Sequence, residues 1–301
     1  MISFLKLIRY KNLLMVLLTM VLTKYALIPS YLSKGNLSNS EFIFLSLSII
    51  LIAAGGYIIN DLFDIEADKI NKPHKVFVTK TISIKHAWIS YFLLSLLGIS
   101  IGIYISFVKS VGVLSIYFIS SSIGLFIYSK YLKKLPLVGN LLISLLIPLT
   151  IFLVYKFDEL QILKRDIINN LFLSIVIFYY LLFAFFSTLI REIIKDIEDI
   201  KGDYKVRMKT LPIILGQKRT QNITISLSLL FLFFIFLILS DSISSKRHVI
   251  TFMTTILALL SIYFIHNLWS AKTKKQFHFL SNLMKLIMLI GILSLGLFKF
   301  M

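Results

Sequence analysis

The feature that most constrains the fold is a succession of long apolar runs that fills nearly the whole chain. An α-helix needs about 20 predominantly apolar residues to cross the hydrocarbon core of a bilayer. Nine runs meet this requirement, at residues 12–31, 41–63, 87–108, 111–131, 136–155, 167–190, 222–240, 249–270 and 280–299. Alternating segments of about ten residues, typical of membrane barrels, are not seen. Helices are then the remaining way to satisfy the backbone in lipid, and we predict an all-α integral membrane bundle of about nine transmembrane helices.

Composition agrees with a membrane location and excludes several classes of function. Of the 301 residues, 58% are hydrophobic and 15% are charged, which is far more apolar than a soluble domain. The breaks between the apolar runs are short, so we expect a single domain over residues 1–301. Cysteine is absent, which excludes disulfides, thiolate chemistry and Cys-ligated metals. Because the N-terminal segment is followed by a long apolar run without a small-residue cleavage site, we expect a retained first helix instead of a removed signal peptide.

The net charge of +18 is explained by membrane topology better than by nucleic-acid binding. Lys and Arg are scattered in the breaks and form no long basic arm, so no nucleic-acid partner is expected. The N-terminal segment and the breaks after the second, fourth, sixth and eighth runs hold 22 of the 32 basic residues, whereas nine lie on the other side. Lys285 lies inside the last run. The positive-inside rule therefore predicts a cytoplasmic membrane protein with its N-terminus on the cytoplasmic side.

Acidic residues are concentrated in two segments at the predicted cytoplasmic ends of the second and sixth runs. These two segments hold nine of the 14 Asp and Glu residues. If the helices continue through the segments, each places three carboxylates at spacing i, i+3 and i+7 on one helix face. The carboxylates are Asp61, Asp64 and Asp68 in the first segment and Asp196, Asp199 and Asp203 in the second. Asn60 lies one turn before Asp64.

Like charges stacked on a helix face repel each other, so these segments call for a cationic partner. Hard oxygen ligands in this number suit Mg²⁺, which is usually completed by water and substrate phosphates. Two such faces across a cavity would bind a diphosphate through metal ions, and its outer oxygens would be neutralised by neighbouring Lys130, Lys134, Arg191 and Lys195. Taken singly, each acidic residue is better explained as a cap or a solvated helix end than as a catalytic group. The repeated spacing in two segments favours the metal site.

These segments resemble the motifs of the UbiA superfamily of intramembrane prenyltransferases. Residues 60–68, NDLFDIEAD, are similar to the family's NDxxDxxxD motif, and residues 196–203, DIEDIKGD, are similar to its second DxxDxxxD motif. The flanking sequences NKP at 71–73, YSK at 128–130 with LK at 132–133, and KTLP at 209–212 also resemble the family. Arg9 and Asn12 resemble its N-terminal R-x-x-N signature. The motifs span residues 9–216, and the last three helices carry none.

The resemblance implies a bundle of nine helices around a central cavity, with a polar cap over the motifs and a lateral opening to membrane lipid. It implies Mg²⁺-dependent transfer of a polyprenyl group from its diphosphate to a lipophilic acceptor. The implied catalytic residues are Asp61, Asp64, Asp196 and Asp199. The implied metal ligands are Asn60, Asp61, Asp64, Asp68, Asp196, Asp199 and Asp203. The implied diphosphate-binding residues are Arg9, Asn12, Asn60, Lys130, Arg191 and Lys195.

The acceptor is predicted less directly than the donor. Both acidic segments look most like those of the geranylgeranylglycerol-phosphate geranylgeranyltransferase group, whose acceptor is a glycerol-phosphate lipid. An aromatic quinone precursor, such as 4-hydroxybenzoate or homogentisate, is the alternative, because acceptor selectivity depends on cavity shape. A cation-coupled transporter is a further alternative. It would place acidic residues near the bilayer midplane, whereas these lie at one membrane face.

Overall fold

The computed structural model describes residues 2–32, 35–73, 76–159, 167–244 and 248–300. Within these ranges the chain is almost entirely helical, with one isolated bridge between Val78 and Ile82. The helices are α1 (Ile2–Leu7), α2 (Tyr10–Leu22), α3 (Asn39–Phe63), α4 (Ile65–Asn71), α5 (Ile84–Val108), α6 (Ser115–Lys130), α7 (Val138–Glu159), α8 (Ile167–Lys205), α9 (Leu211–Leu215), α10 (Gln217–Ser244), α11 (His248–Ser270) and α12 (Lys274–Leu295).

Nine helices in the described ranges are long and apolar enough to cross a membrane. The first runs from Tyr10 to Ser30, through α2 and the π-helical and 3-10 turns that follow it. The others contain α3, α5, α6, α7, α8, α10, α11 and α12, and each of the nine coincides with one of the predicted runs. The predicted all-α bundle of a multi-pass membrane protein is therefore confirmed. We call the end of the bundle that holds both acidic segments the motif end.

Helix α8 is much longer than its apolar run, which stops at residue 190. It continues through the second acidic segment to Lys205. Its extension is amphipathic, because Ile190, Ile193, Ile194 and Ile197 follow the spacing of one helix face and are almost completely buried. Packing of this face against the bundle keeps the helix intact beyond the apolar run. Because the helix is continuous through the second segment, Asp196, Asp199 and Asp203 lie on one face, as predicted.

The first acidic segment is not a continuous helix, and this part of the prediction is wrong. Helix α3 ends at Phe63, and α4 begins at Ile65. Between them Asp64 has φ −97° and ψ 3°, outside the helical region. The Asp64 amide still donates to the Asn60 carbonyl at 3.0 Å. The bend therefore gives Asp64 a position at the joint between two helices.

Small residues bring α3 and α5 close together in the first half of the bundle. The Ser48 hydroxyl donates to the Gly98 carbonyl at 2.6 Å. A Cβ atom at Gly98 would lie 3.0 Å from the Ser48 carbonyl oxygen, and one at Gly55 would lie 2.6 Å from the Ser95 hydroxyl. Such close backbone approach is the usual role of small residues in membrane helix pairs.

Helices α8 and α12 run antiparallel, and three contacts fix their register. The imidazole of His278 lies 2.9 Å from a Glu198 carboxylate oxygen near the motif end. Further along, the Phe183 ring occupies the space where a side chain at Gly291 would lie. Beyond that, the hydroxyls of Tyr180 and Ser294 are 2.7 Å apart.

Candidate active site

Two carboxylates of the first acidic segment, Asp61 and Asp64, are held by cations and an amide. The Arg9 guanidinium donates to Asp61 at 2.7 Å, and it lies 5.0 Å from the centre of the Tyr57 ring. Arg9 has φ 51°, a left-handed conformation at the joint between α1 and α2. The Asn60 amide donates to Asp64 at 2.8 Å, and Lys133 contacts the other oxygen of Asp64 at 2.5 Å.

The three carboxylates of the second acidic segment lie on the same face of α8 and are held by residues from other elements. The amide of Asn140, on α7, donates to Asp196 at 2.8 Å. Lys72 forms a salt bridge with Asp199. The Asn71 amide is 3.3 Å from a carboxylate oxygen of Asp203.

Asn71 joins the two acidic segments. Its amide nitrogen donates to the Asp199 carbonyl at 2.9 Å, and its amide oxygen accepts from the Gly202 backbone at 2.9 Å. A Cβ atom at Gly202 would lie 2.3 Å from this amide, so glycine is needed for the approach. Lys274 at the start of α12 donates to the Asn71 carbonyl at 2.9 Å. The segments are therefore brought together at the motif end, as the sequence predicts.

The electric field at this junction shifts the titration of nearby groups. Burial raises the pKa of the Asp68 carboxyl to about 6, and repulsion from Asp64 adds to this shift. Burial alone would favour the neutral amine of Lys72, but attraction by Asp199 outweighs it and raises the pKa of Lys72. The junction therefore favours bound positive charge.

The donor atoms at the junction fit a hard divalent cation. Within the described part of the chain, Asn60 Oδ1 and Asp199 Oδ1 are buried without a hydrogen-bond partner. Both are hard oxygen donors of the kind that Mg²⁺ prefers. No three acidic or histidine side chains among the described residues lie close enough to hold a metal by themselves. A cation here would take few protein ligands and complete its shell with water and phosphate oxygens, which is usual for Mg²⁺.

A central cavity of about 300 Å³ extends from the motif end into the bundle. Its polar wall includes five predicted site residues, namely Arg9, Asn12, Asn60, Arg191 and Lys195. Deeper in the bundle the wall is apolar and includes Ile52, Phe118 and Ile151. The cavity therefore combines a cationic entrance with a hydrocarbon interior.

Of the four cations predicted beside the acidic segments, Arg191 and Lys195 lie in the cavity wall, whereas Lys130 and Lys134 do not. Lys195 contacts the Glu192 carboxylate at 2.7 Å, and Arg191 lies 3.4 Å from the same group. The Lys130 ammonium lies instead over the Tyr131 ring, 4.9 Å from its centre, and is not among the residues that line the cavity.

Sequence reasoning did not assign four residues that contact the site. Lys133 and Asn140 hold carboxylates of opposite segments, Lys72 pairs with Asp199, and Lys285 lines the cavity. Lys72 and Lys133 lie in the flanking sequences that resemble the family, which was the available signal. Asn140 carried none, because a single amide in an apolar run has no pattern. Lys285 stood out only as a charge inside an apolar run.

A second, largely apolar cavity of about 390 Å³ lies between α8, α10, α11 and α12. Tyr180, Phe183 and Gly291 line both cavities. The contact between Phe183 and Gly291 thus forms part of the partition between the two spaces.

Comparison with known proteins assigns the chain to a family. The model of the UbiA prenyltransferase family matches residues 13–288. The chain belongs to this family. The UbiA resemblance of the two acidic segments is thereby confirmed, and the match also covers most of the last three helices.

Relatives within the UbiA family share one name. A digeranylgeranylglyceryl phosphate synthase of Methanosphaera stadtmanae is 32% identical over 86% of this chain and 88% of its own length. A digeranylgeranylglyceryl phosphate synthase of Saccharolobus solfataricus is 40% identical over 58% of this chain. The chain spans 56% of the length of that second relative.

Solved structures of UbiA proteins have the same fold. A structure from a study of digeranylgeranylglyceryl phosphate synthase in membranes aligns with a TM-score of 0.66 at 22% identity, covering 99% of this chain and 98% of its own. A UbiA homologue from Archaeoglobus fulgidus, bound to DMAPP and Mg²⁺, aligns with a TM-score of 0.63 at 17% identity over 98% of this chain and 99% of its own.

Proposed function

We propose that this UbiA protein transfers a geranylgeranyl group from its diphosphate to a hydroxyl of a glycerol-phosphate lipid. The observation that carries the proposal is the junction of the two acidic segments, through Asn71 and Lys72, beside a cavity with an apolar interior. A diphosphate matches the charged end of this space, and a polyprenyl chain matches its hydrocarbon end.

The diphosphate oxygens would be bound partly by metal ions, which the acidic residues hold, and partly by basic side chains. Asn60, Asp61, Asp64, Asp68, Asp196, Asp199 and Asp203 are the proposed ligands of Mg²⁺. When bound, Mg²⁺ supplies positive charge that stabilises the departing diphosphate. Arg9, Arg191 and Lys195, which line the cavity, donate hydrogen bonds to the phosphate oxygens. Lys130, which lies outside the cavity lining, has less support as a phosphate partner.

The transfer breaks one carbon–oxygen bond and forms another. The bond between the allylic carbon and the diphosphate breaks, and the diphosphate leaves with the bonding electron pair. The acceptor hydroxyl oxygen bonds to the allylic carbon and its proton passes to the departing diphosphate. The apolar wall excludes water from the allylic carbon, and aromatic faces such as that of Tyr128 stabilise its developing positive charge.

The choice of acceptor rests on the relatives. The Methanosphaera relative matches nearly all of this chain and is named a digeranylgeranylglyceryl phosphate synthase. That name supports a glycerol-phosphate lipid over an aromatic quinone precursor as acceptor. The acidic residues of the two segments are gathered at one end of the bundle, which supports the enzyme over a transporter.

Positive-inside asymmetry supports a location of the motif end on the cytoplasmic side of the cytoplasmic membrane. Water-soluble Mg²⁺ and diphosphate would then enter from the cytoplasm, whereas both lipid chains would enter from the bilayer.

Turnover by the purified full-length protein tests the proposal. The protein in lipid nanodiscs is supplied with Mg²⁺, geranylgeranyl diphosphate and either geranylgeranylglyceryl phosphate or 4-hydroxybenzoate, and products are identified by mass spectrometry. We expect a doubly prenylated glycerol phosphate and no prenylated benzoate. If only 4-hydroxybenzoate is prenylated, the proposed acceptor is wrong and the aromatic alternative is correct. If the protein carries ions into liposomes without any turnover, it is a transporter and not an enzyme.

Substitutions at the two acidic segments test the assigned residues. Asp64→Ala and Asp199→Ala should each reduce turnover by about a hundredfold or more, because each removes a proposed ligand of the Mg²⁺ that stabilises the negative charge on the departing diphosphate. Glu66→Ala is the matched control, since Glu66 lies in the first segment but is 73% exposed. Wild-type turnover in either Asp variant would contradict the assignment.

A further inference from the structure

Lys285 places a positive charge inside a helix that spans the membrane. It lies well within the span that runs from Lys274 to Lys299, and it lines the central cavity. Its ammonium donates to the side-chain oxygen of Asn12, on α2, at 2.8 Å. Ionisable groups at such positions are expensive to bury, and they usually mark binding sites.

The antiparallel register of α8 and α12 fixes which residues lie opposite Lys285. Glu198 faces His278 towards the motif end, and Phe183 faces Gly291 towards the bundle interior. Lys285 lies about midway between these two contacts. It is therefore level with the turn of α8 that contains Thr188 and Arg191.

Two polar atoms on this turn of α8 are buried without a partner. They are the Thr188 hydroxyl and the Arg191 Nε, as far as the described residues show. Thr188 is only 4% exposed, and both residues line the central cavity. A buried hydroxyl that makes no hydrogen bond costs free energy, and a ligand that accepts one would recover it.

On α8, this polar group lies further into the bundle than the proposed metal ligands. Asp196 lies eight residues after Thr188 on α8, which corresponds to about 12 Å at 1.5 Å per residue. Arg191, a proposed partner of the diphosphate, lies between these two residues, so Thr188 is on the interior side of the diphosphate. The cavity thus offers a second place for an anion, deeper than the first.

We propose that Lys285 and Thr188 bind the phosphate group of the acceptor lipid, with Asn12 positioning the Lys285 ammonium. The inference rests on the proposed function, which requires an acceptor that carries a phosphomonoester. The ammonium and the hydroxyl both donate to phosphate oxygens, and the low dielectric of the cavity strengthens these bonds. A phosphate held here directs the nearby glycerol hydroxyl towards the allylic carbon bound between the two anion sites.

Separate kinetic constants for donor and acceptor test the inference. In Lys285→Met the length of the side chain is retained and its charge is lost. We expect its KM for geranylgeranylglyceryl phosphate to rise about tenfold or more, the usual effect of losing a hydrogen bond to a charged group. The KM for geranylgeranyl diphosphate should stay unchanged. Lys285→Arg should recover most of the acceptor affinity, and Thr188→Val should give a smaller change in the same direction.

Two controls separate acceptor recognition from other effects. Lys275→Met removes an exposed charge from the first turn of α12 and should alter neither constant. Geranylgeranylglycerol, which lacks the phosphate, should bind wild type and Lys285→Met equally weakly. A rise in the donor KM would assign Lys285 to the diphosphate instead, and equal losses with both acceptors would make its role structural. Either result would overturn the inference.

Binding without turnover distinguishes failure of the inference from failure of the proposed function. Native mass spectrometry of the full-length protein with geranylgeranylglyceryl phosphate alone should show binding that weakens in Lys285→Met. If this dependence is found but no product forms, the inference stands and the proposed reaction fails. If product forms but Lys285→Met binds geranylgeranylglyceryl phosphate as well as wild type does, the inference is wrong and the proposed function stands.

Discussion

The side chain of Asn71 contacts α8 at three points, through Asp199, Gly202 and Asp203. Asn71→Ala leaves the Gly202 amide without its acceptor and removes the bridge between the acidic segments. We expect the free energy of unfolding to fall by about 1–3 kcal/mol, as for other buried polar groups left unsatisfied. Thermal unfolding in detergent measures this loss. Glu66→Ala, on the same short helix, removes only an exposed ion pair and should change the melting temperature little.

The raised pKa of Asp68 predicts that metal binding depends on pH. With a pKa of about 6, this carboxyl is ionised at neutral pH and protonated in mild acid, where protons compete with the cation. The apparent dissociation constant for Mg²⁺ should therefore rise about tenfold between about pH 7 and about pH 5. Titration calorimetry at several pH values measures it. Asp68→Asn should bind Mg²⁺ more weakly at neutral pH and show a shallower dependence, and an unchanged slope would contradict the prediction.

At single residues, sequence patterns predicted where the acidic residues gather but not all of their contacts. Arg9, Arg191 and Lys195 line the cavity as predicted. Lys130 does not, because α6 ends there and the following turn brings Lys133 to Asp64 instead. The direction of a side chain after a helix end depends on turn geometry, which residue spacing does not encode.

Among elements, the contact between α3 and α5 depends on glycine. A Cβ at Gly98 would lie 3.0 Å from the Ser48 carbonyl oxygen, and the backbone cannot move aside without separating the helices. Gly98→Ala should therefore destabilise the protein by about 1–3 kcal/mol, as overpacking usually does. Gly124→Ala is the matched control, because its Cβ would have no neighbour nearer than 3.8 Å. It should be neutral or slightly stabilising. Melting temperatures in one detergent compare the two variants.

Helix positions followed from apolar length, but two features at the motif end did not. Hydropathy falls at residue 191, whereas α8 continues because buried isoleucines such as Ile193 and Ile197 pack against the bundle. Their helical spacing was visible in the sequence. The bend at Asp64 was not, since the residues around it form helices readily and the interruption depends on tertiary contacts such as that with Lys133.

For the whole molecule, the absence of cysteine makes membrane orientation directly testable. Ser270→Cys places a single thiol at the motif end, and Ser40→Cys places one at the opposite end, both at exposed serines. If the motif end is cytoplasmic, a membrane-impermeant maleimide added to intact cells should label only Ser40→Cys. In lysed cells the maleimide should label both variants. If Ser270→Cys is labelled in intact cells, the motif end faces the outside of the cell and the predicted orientation is wrong.

The contact between Asn12 and Lys285 joins the second helix to the last one. A ribosome delivers these helices at opposite ends of synthesis, with both acidic segments in between. A nascent chain that has emerged through α8 already holds all seven proposed metal ligands, yet its cavity still lacks the wall that α12 provides. The donor site can therefore form before the acceptor site, and the protein becomes able to handle both substrates only when its last helix has joined the bundle.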